Sequence, residues 1–135
     1  MERIKVFISW AYGNFSGSYS DNVPGGVAFT GKTIDEMRRK AQTTLDFHLQ
    51  GYVEDGEVPQ WYIDHDYELE FCYTDATSLL QSCSDALTLS AISRATGINQ
   101  RQLSHYANGT NTPRPQQQQR IIDGIHAIGR RLMAV

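Results

Sequence analysis

Cysteine is nearly absent: Cys72 and Cys83 are the only two in 135 residues. They form no metal-ligand spacing, so a disulfide framework and a zinc module are both excluded, and two buried or idle thiols in a reducing compartment remain. Long apolar runs are missing as well. Hydrophobic residues make up 40% of the chain, enough to fold, yet no stretch approaches the ~20 consecutive apolar residues that cross a bilayer. The opening Met1-Glu2-Arg3-Ile4-Lys5 carries no signal-peptide pattern. The expectation is a cytoplasmic protein with no membrane partner.

Acid is scarce in one part of the chain, and lysine is missing from it. From Thr88 to Val135 there are six arginines, no lysine and one acid, Asp123, a net of +5. From Met1 to Leu87, six Lys and Arg face fourteen Asp and Glu, a net of −8. The overall charge of −3 argues against nucleic-acid binding, but its distribution argues for two units with different partners. Arginine suits both phosphate and guanine recognition.

Period-two alternation of Ile4, Val6, Ile8, Trp10 and Tyr12 predicts an opening strand with these residues on one face. Gly13-Asn14 reads as the turn into a weaker strand carrying Phe15, Gly17 and Tyr19, and Pro24-Gly25-Gly26 precedes a third over Val27 to Thr30. The period then changes. Thr33-Ile34-Asp35-Glu36 is a capping box, and Ile34, Met37, Ala41, Leu45, His48, Leu49 and Tyr52 recur at helical spacing, with Arg38, Arg39, Gln42 and Asp46 toward water. Glu54 to Asp66 reads as an acidic loop, and Tyr67, Leu69, Phe71 and Tyr73 alternate as a fourth strand. The order is β-β-β-α-β, an α+β domain with a helix on one sheet face. Asp75 caps a helix with Leu79, Leu80 and Cys83, and the rest is helical. The expected domains are 1–74 and 75–135.

The segment from Thr88 to Gly109 has the parts of a helix-turn-helix. Thr88 caps a first helix with Ala91, Ile92 and Ala95 inward. Gly97 suits the left-handed turn position, Ile98 plugs the turn into the core, and Asn99 caps a second helix. Leu103 and Tyr106 face inward, and Gly109 ends the helix. The outward set is Gln100, Arg101, Gln102, Ser104 and His105, donors and acceptors suited to base edges in a major groove. Arg94, Asn99, Thr110, Asn111, Thr112 and Arg114 are the phosphate candidates. A last helix after Pro115, weakened by Gly124 and Gly129, has an apolar stripe of Ile121, Ile122, Ile125, Ile128 and Leu132. Ile121, Ile125, Ile128 and Leu132 are the candidate dimer surface, half of which must also cover its own domain. The stretch from about Asp75 to Met133 resembles the Xre/Cro/phage-repressor class of helix-turn-helix.

The first half resembles the HicB antitoxin family. The likeness lies in the opening strand, in Pro24-Gly25-Gly26-Val27-Ala28 followed by Thr30-Gly31-Lys32-Thr33, in the helix from Ile34 to Leu49, and in Gly51-Tyr52-Val53-Glu54-Asp55-Gly56-Glu57-Val58-Pro59. Where that family usually closes the loop before the third strand with leucine-proline-glycine-cysteine, this chain has Val23-Pro24-Gly25-Gly26. The resemblance implies a partial, inactive RNase H-like domain ahead of a DNA-binding domain. It also implies two tasks: blocking a HicA-type mRNA interferase toxin, and repressing the operon that encodes both. An acidic domain suits a basic, RNA-binding partner, although a solvated acidic surface that only aids solubility explains the charge as well. A dimer or tetramer on operator double-stranded DNA is expected.

Catalysis, cofactors and metals are not expected. Two-metal nuclease chemistry needs carboxylates converging on ions ~3.5–4 Å apart, and Val6 to Tyr12 holds no acid. Glu68 and Glu70 share a water-facing side. Asp64-His65-Asp66 reads as a solvated triplet and His48 as a half-buried residue. Two alternatives stay open: a stand-alone transcription regulator whose first domain dimerises or senses a ligand, and a protein-inhibitor module whose helix-turn-helix is a relic.

Overall fold

Strand β1 (Glu2–Ala11) sends Ile4, Val6 and Ile8 to one face, where all three are fully buried. It pairs antiparallel with β2 (Asn14–Tyr19), Ala11 opposite Asn14. Only Tyr12 and Gly13 lie between, both with positive φ (54° and 77°), the geometry of a two-residue hairpin turn whose twist matches its strands. The turn therefore sits one residue earlier than the Gly13-Asn14 signal suggests. Tyr12 leaves the inner face and is fully exposed.

β2 pairs antiparallel with β3 (Ala28–Gly31), and β1 pairs on its other side, in parallel, with β4 (Tyr67–Tyr73). The sheet order is β3-β2-β1-β4. Gly17 has no side chain because the Phe29 ring occupies the space a Cβ would need. Helix α1 (Ile34–Gln50) makes the crossover and buries Ile34, Met37, Ala41, Leu45 and Leu49. Thr33 caps it, accepting from Glu36 N at 3.1 Å, while the Glu36 carboxylate accepts from Lys32 N at 2.9 Å.

Two residues expected in water are part of the packing instead. A short helix α2 (Gln60–Ile63) lies within the expected acidic loop. It brings Trp61 and Tyr62 against the Ile4, Leu45 and Leu49 cluster. Tyr62 Oη donates to Asp46 at 2.7 Å, and Gln42 Nε2 donates to Asp46 at 3.0 Å and to Tyr67 Oη at 2.8 Å. Burial, and then the Asp46 carboxylate, push the Tyr62 phenol well above its ordinary range. Tyr19 Oη donates to Ala41 O at 2.6 Å and is raised in the same way.

This computed structural model describes all 135 residues and divides them into two compact units, Met1–Thr74 and Asp75–Val135. The whole is a mixed α+β fold with one four-stranded sheet and six helices. None of the helices is long and apolar enough to cross a membrane.

Unit 2 is all helix: α3 (Ala76–Cys83), α4 (Leu89–Thr96), α5 (Gln100–Ala107) and α6 (Pro115–Met133). Its core is Ala76, Leu80, Ile92, Ile98, Leu103, Tyr106, Ala107 and Ile121. Asp75 opens α3 with a full capping box against Ser78. Burial pushes the Cys83 thiol up, toward its protonated form. Gly124 is buried in α6 because a Cβ there would collide with the Thr96 side chain. It makes the close approach of α4 and α6 possible and is more than a weak point in the helix. The same crossing sets the rotation of α4: Ile92 and Thr96 turn inward, and Ala95, expected inside, is exposed.

Candidate nucleic-acid interface

Helices of eight residues are too short to hold themselves together in water, so their ends are tied by side chains. Thr88 accepts from Ala91 N at 3.0 Å and starts α4. Gly97 ends it in the left-handed conformation, φ 75°, its N–H bonded to Ser93 O at 2.8 Å. Ser93 Oγ then donates to Ile98 O at 2.6 Å, and Ile98 N to Thr96 Oγ1 at 3.2 Å. These bonds drive the Ile98 side chain into the core. Asn99 starts α5 by accepting from Gln102 N at 2.8 Å. Gly97, Ile98 and Asn99 are thus the whole turn.

Two further elements hold α4 and α5 in place. From α3, Thr77 Oγ1 donates to Tyr106 O at 2.7 Å and Gln81 Nε2 to Ala107 O at 2.8 Å, occupying carbonyls that the end of α5 leaves open. From α6, Arg120 Nη2 donates to Thr96 O at 2.8 Å and does the same for α4.

The burial of Leu103, Tyr106 and Ala107 fixes what α5 turns outward. Arg101 and His105, four residues apart, lie opposite that buried stripe, with Gln102 on one flank and Ser104 on the other. Gln100 and Arg101 are exposed; Gln102, Ser104 and His105 are half-buried. Gln100, at the first turn, is rotated toward the buried side. His105 Nδ1 lies 3.4 Å from Asn111 Nδ2, and the His105 carbonyl accepts from Thr110 N at 2.9 Å. This binds the following loop to the face of α5.

The phosphate candidates divide. Thr110, Asn111, Thr112 and Arg114 are exposed in that loop, and Arg114 is the N-cap of α6 without a side-chain cap bond. Arg94 is exposed near the end of α4, with Nη1 on Ser90 Oγ at 2.8 Å. Asn99 has its carbonyl oxygen committed to the cap, so only its amide nitrogen can reach a ligand. An open, mostly polar groove of about 460 Å3 brings together Gln102, Asn111, Thr112 and Arg114. Gln116 and Gln117, at the start of α6, also line it, and no sequence signal marked them as site residues. The run after Pro115 indicated a helix start; that its first turn faces α5 depends on the buried Pro113 and Ile121.

In unit 1, Glu68 and Glu70 are exposed, and Arg3 Nε lies 3.6 Å from Glu68. His48 Nε2 lies 2.6 Å from Pro24 O, a structural tie between α1 and the loop before β3. No three His, Cys, Asp or Glu side chains gather into a group that could hold a metal. Comparison with protein-family models, with curated proteins and with solved structures finds no match.

Proposed function

We propose that the chain is an antitoxin of the HicB type. Unit 1 occupies a HicA-like mRNA interferase, and unit 2 binds operator DNA to repress the shared operon. The observation that carries the DNA half is the outer face of α5. It is polar throughout and is held at a fixed angle to α4 by the Gly97-Ile98-Asn99 turn, beside a groove that supplies Arg114 and three further amide side chains. A helical hairpin used only for protein contact has no need of such a face. The charge division supports the other half: unit 1 carries twelve acids against six cations, and unit 2 six cations against three acids. A partial RNase H-like arrangement agrees with the order of unit 1, three strands, α1, the short α2 and a fourth strand.

A dimer on a palindromic operator places two α5 helices ~34–36 Å apart, one turn of DNA. Arg101→Ala costs roughly 1–3 kcal/mol on the DNA upstream of the gene and little on random DNA, read by gel shift at fixed salt. Equal losses on both refute base reading. The toxin half is tested by co-expression with the adjacent gene. A small basic protein of ~60–80 residues that co-purifies and whose ribonuclease activity falls supports it; no such neighbour favours a stand-alone regulator.

A further inference from the structure

Unit 1 has an apolar groove of about 270 Å3 walled by Val53, Val58, Tyr62 and Ile63. Val53 is 62% exposed and Ile63 56%, so both show aliphatic surface to water where a polar residue would fold as well. The groove is built rather than incidental. Tyr62 is pinned from behind by its bond to Asp46. Asp66 N closes on Trp61 O at 2.9 Å and His65 N on Tyr62 O at 3.1 Å, with His65 in the left-handed conformation, φ 54°. Gly56, at φ 68°, turns the opposite wall.

Beside the groove, whose lining also includes His65, the neighbouring charged residues are all acids. Glu54, Asp55, Glu57 and Asp64 are adjacent in sequence to the wall residues, are all exposed, and make no ion pair. No Lys or Arg occurs from Ala41 to Ser93, so no cation of this stretch can pair with them. Asp64 accepts from Gln60 Nε2 at 2.9 Å. An apolar groove next in the chain to four exposed carboxylates without ion pairs is complementary to an apolar side chain set among cations.

We infer that this groove is the docking site for a basic protein that seats one aliphatic or aromatic side chain between Val53 and Ile63, with Lys or Arg on either side. This rests on the reading of unit 1 as the toxin-binding half and names the surface that makes the contact. The apolar anchor holds the complex, and the carboxylates speed encounter and set its salt dependence.

The test is selection from a displayed library of short random peptides against the full-length chain, with the selected peptides synthesised and their affinity measured by fluorescence anisotropy. The expected peptides carry an apolar residue flanked by Lys or Arg. They bind about tenfold more weakly to Ile63→Lys and to Glu57→Lys, and lose affinity as salt rises. Both substitutions are at exposed positions, and tryptophan emission checks that unit 1 is folded. No enriched peptide, a set without the cationic pattern, or binding to the variants as tight as to the unsubstituted chain overturns the inference. The neighbouring gene product separates the two claims. If it still co-purifies with Ile63→Lys, the groove assignment falls and the antitoxin reading stands. If selected peptides need the groove but no basic neighbour binds, the groove stands and the antitoxin reading falls.

Discussion

Units 1 and 2 solve the same problem, ordering short elements around a small core, with different chemistry. Unit 1 has side-chain ties to backbone, from Thr33, Tyr19 and His48, and adds a cluster in which side chains meet one another: Tyr62 and Gln42 converge on Asp46, and Gln42 also reaches Tyr67. In unit 2 side chains meet backbone: Thr88, Ser93, Asn99, Thr77, Gln81 and Arg120 each bond to a helix end or turn. Aromatic content follows this division. Both tryptophans and all five phenylalanines lie in unit 1, and Tyr106 is the one aromatic residue of unit 2. A sheet with a long helix has room for large rings. Four helices in 61 residues pack with Ala, Ile, Leu and glycine, and their angles depend on the caps. Unit 1 is therefore sensitive to loss of ring-borne hydrogen bonds, and unit 2 to backbone and helix-end changes.

The largest effects separate the units through their cores. Leu45 and Leu103 are both fully buried, and truncating either to alanine costs about 2–5 kcal/mol. Leu45→Ala lowers the midpoint read by tryptophan emission. Leu103→Ala removes helical circular dichroism and leaves the emission midpoint in place. A common shift of both signals in each variant breaks the comparison. Next is Gly124→Val, where the added side chain has to displace Thr96; a cost of about 1–3 kcal/mol is expected in thermal melts followed by circular dichroism. Asn99→Ala costs about 1 kcal/mol for the lost cap. Asn99→Asp keeps the cap, so its melt resembles wild type; under the proposed function its added charge beside the expected phosphates weakens the gel shift on operator DNA.

The smallest effect sharpens the comparison at the one helix start of unit 1 that uses a carboxylate. The Lys32 N–H first, and then the Lys40 ammonium, hold Glu36 below its ordinary 4.5. A carboxylate with a lowered folded pKa stabilises above its unfolded value, and that contribution is lost as pH falls through the folded one. Glu36→Gln therefore flattens the acid limb of the tryptophan-emission midpoint against pH and leaves the acid dependence of unit 2 unchanged.

What the sequence revealed was local. The alternation in β1, the Thr33 cap, the left-handed Gly97 and the Asn99 cap each depend on a few adjacent residues, and each element is found where its signal lies. The misses depended on distance. Gln42 and Asp46 look solvent-facing until Tyr62 and Tyr67 arrive from 16 and 25 residues away. Ala95 looks inward until Gly124 fixes how α4 lies on α6. Helix α2, four residues long, has no period to detect. In the candidate interface, the polar face of α5 was readable from spacing, and Gln116 and Gln117 were not. Helical position also moves emphasis from Gln100 to Arg101 and His105.

The cation-free run that leaves the groove's carboxylates unpaired has a consequence for handling the protein. Trypsin cuts after lysine and arginine, so it releases everything from Ala41 to Arg94 as one fragment. That fragment contains the junction at Thr74 and Asp75 and carries parts of both units. Limited tryptic digestion therefore cannot cut the chain between its two units, however accessible the junction is, whereas a glutamate- or aspartate-directed protease can. Amine-reactive cross-linkers have a similar blind side: every lysine, Lys5, Lys32 and Lys40, belongs to unit 1, so a cross-link to unit 2 has to be made through its carboxylates, its thiol or its arginines.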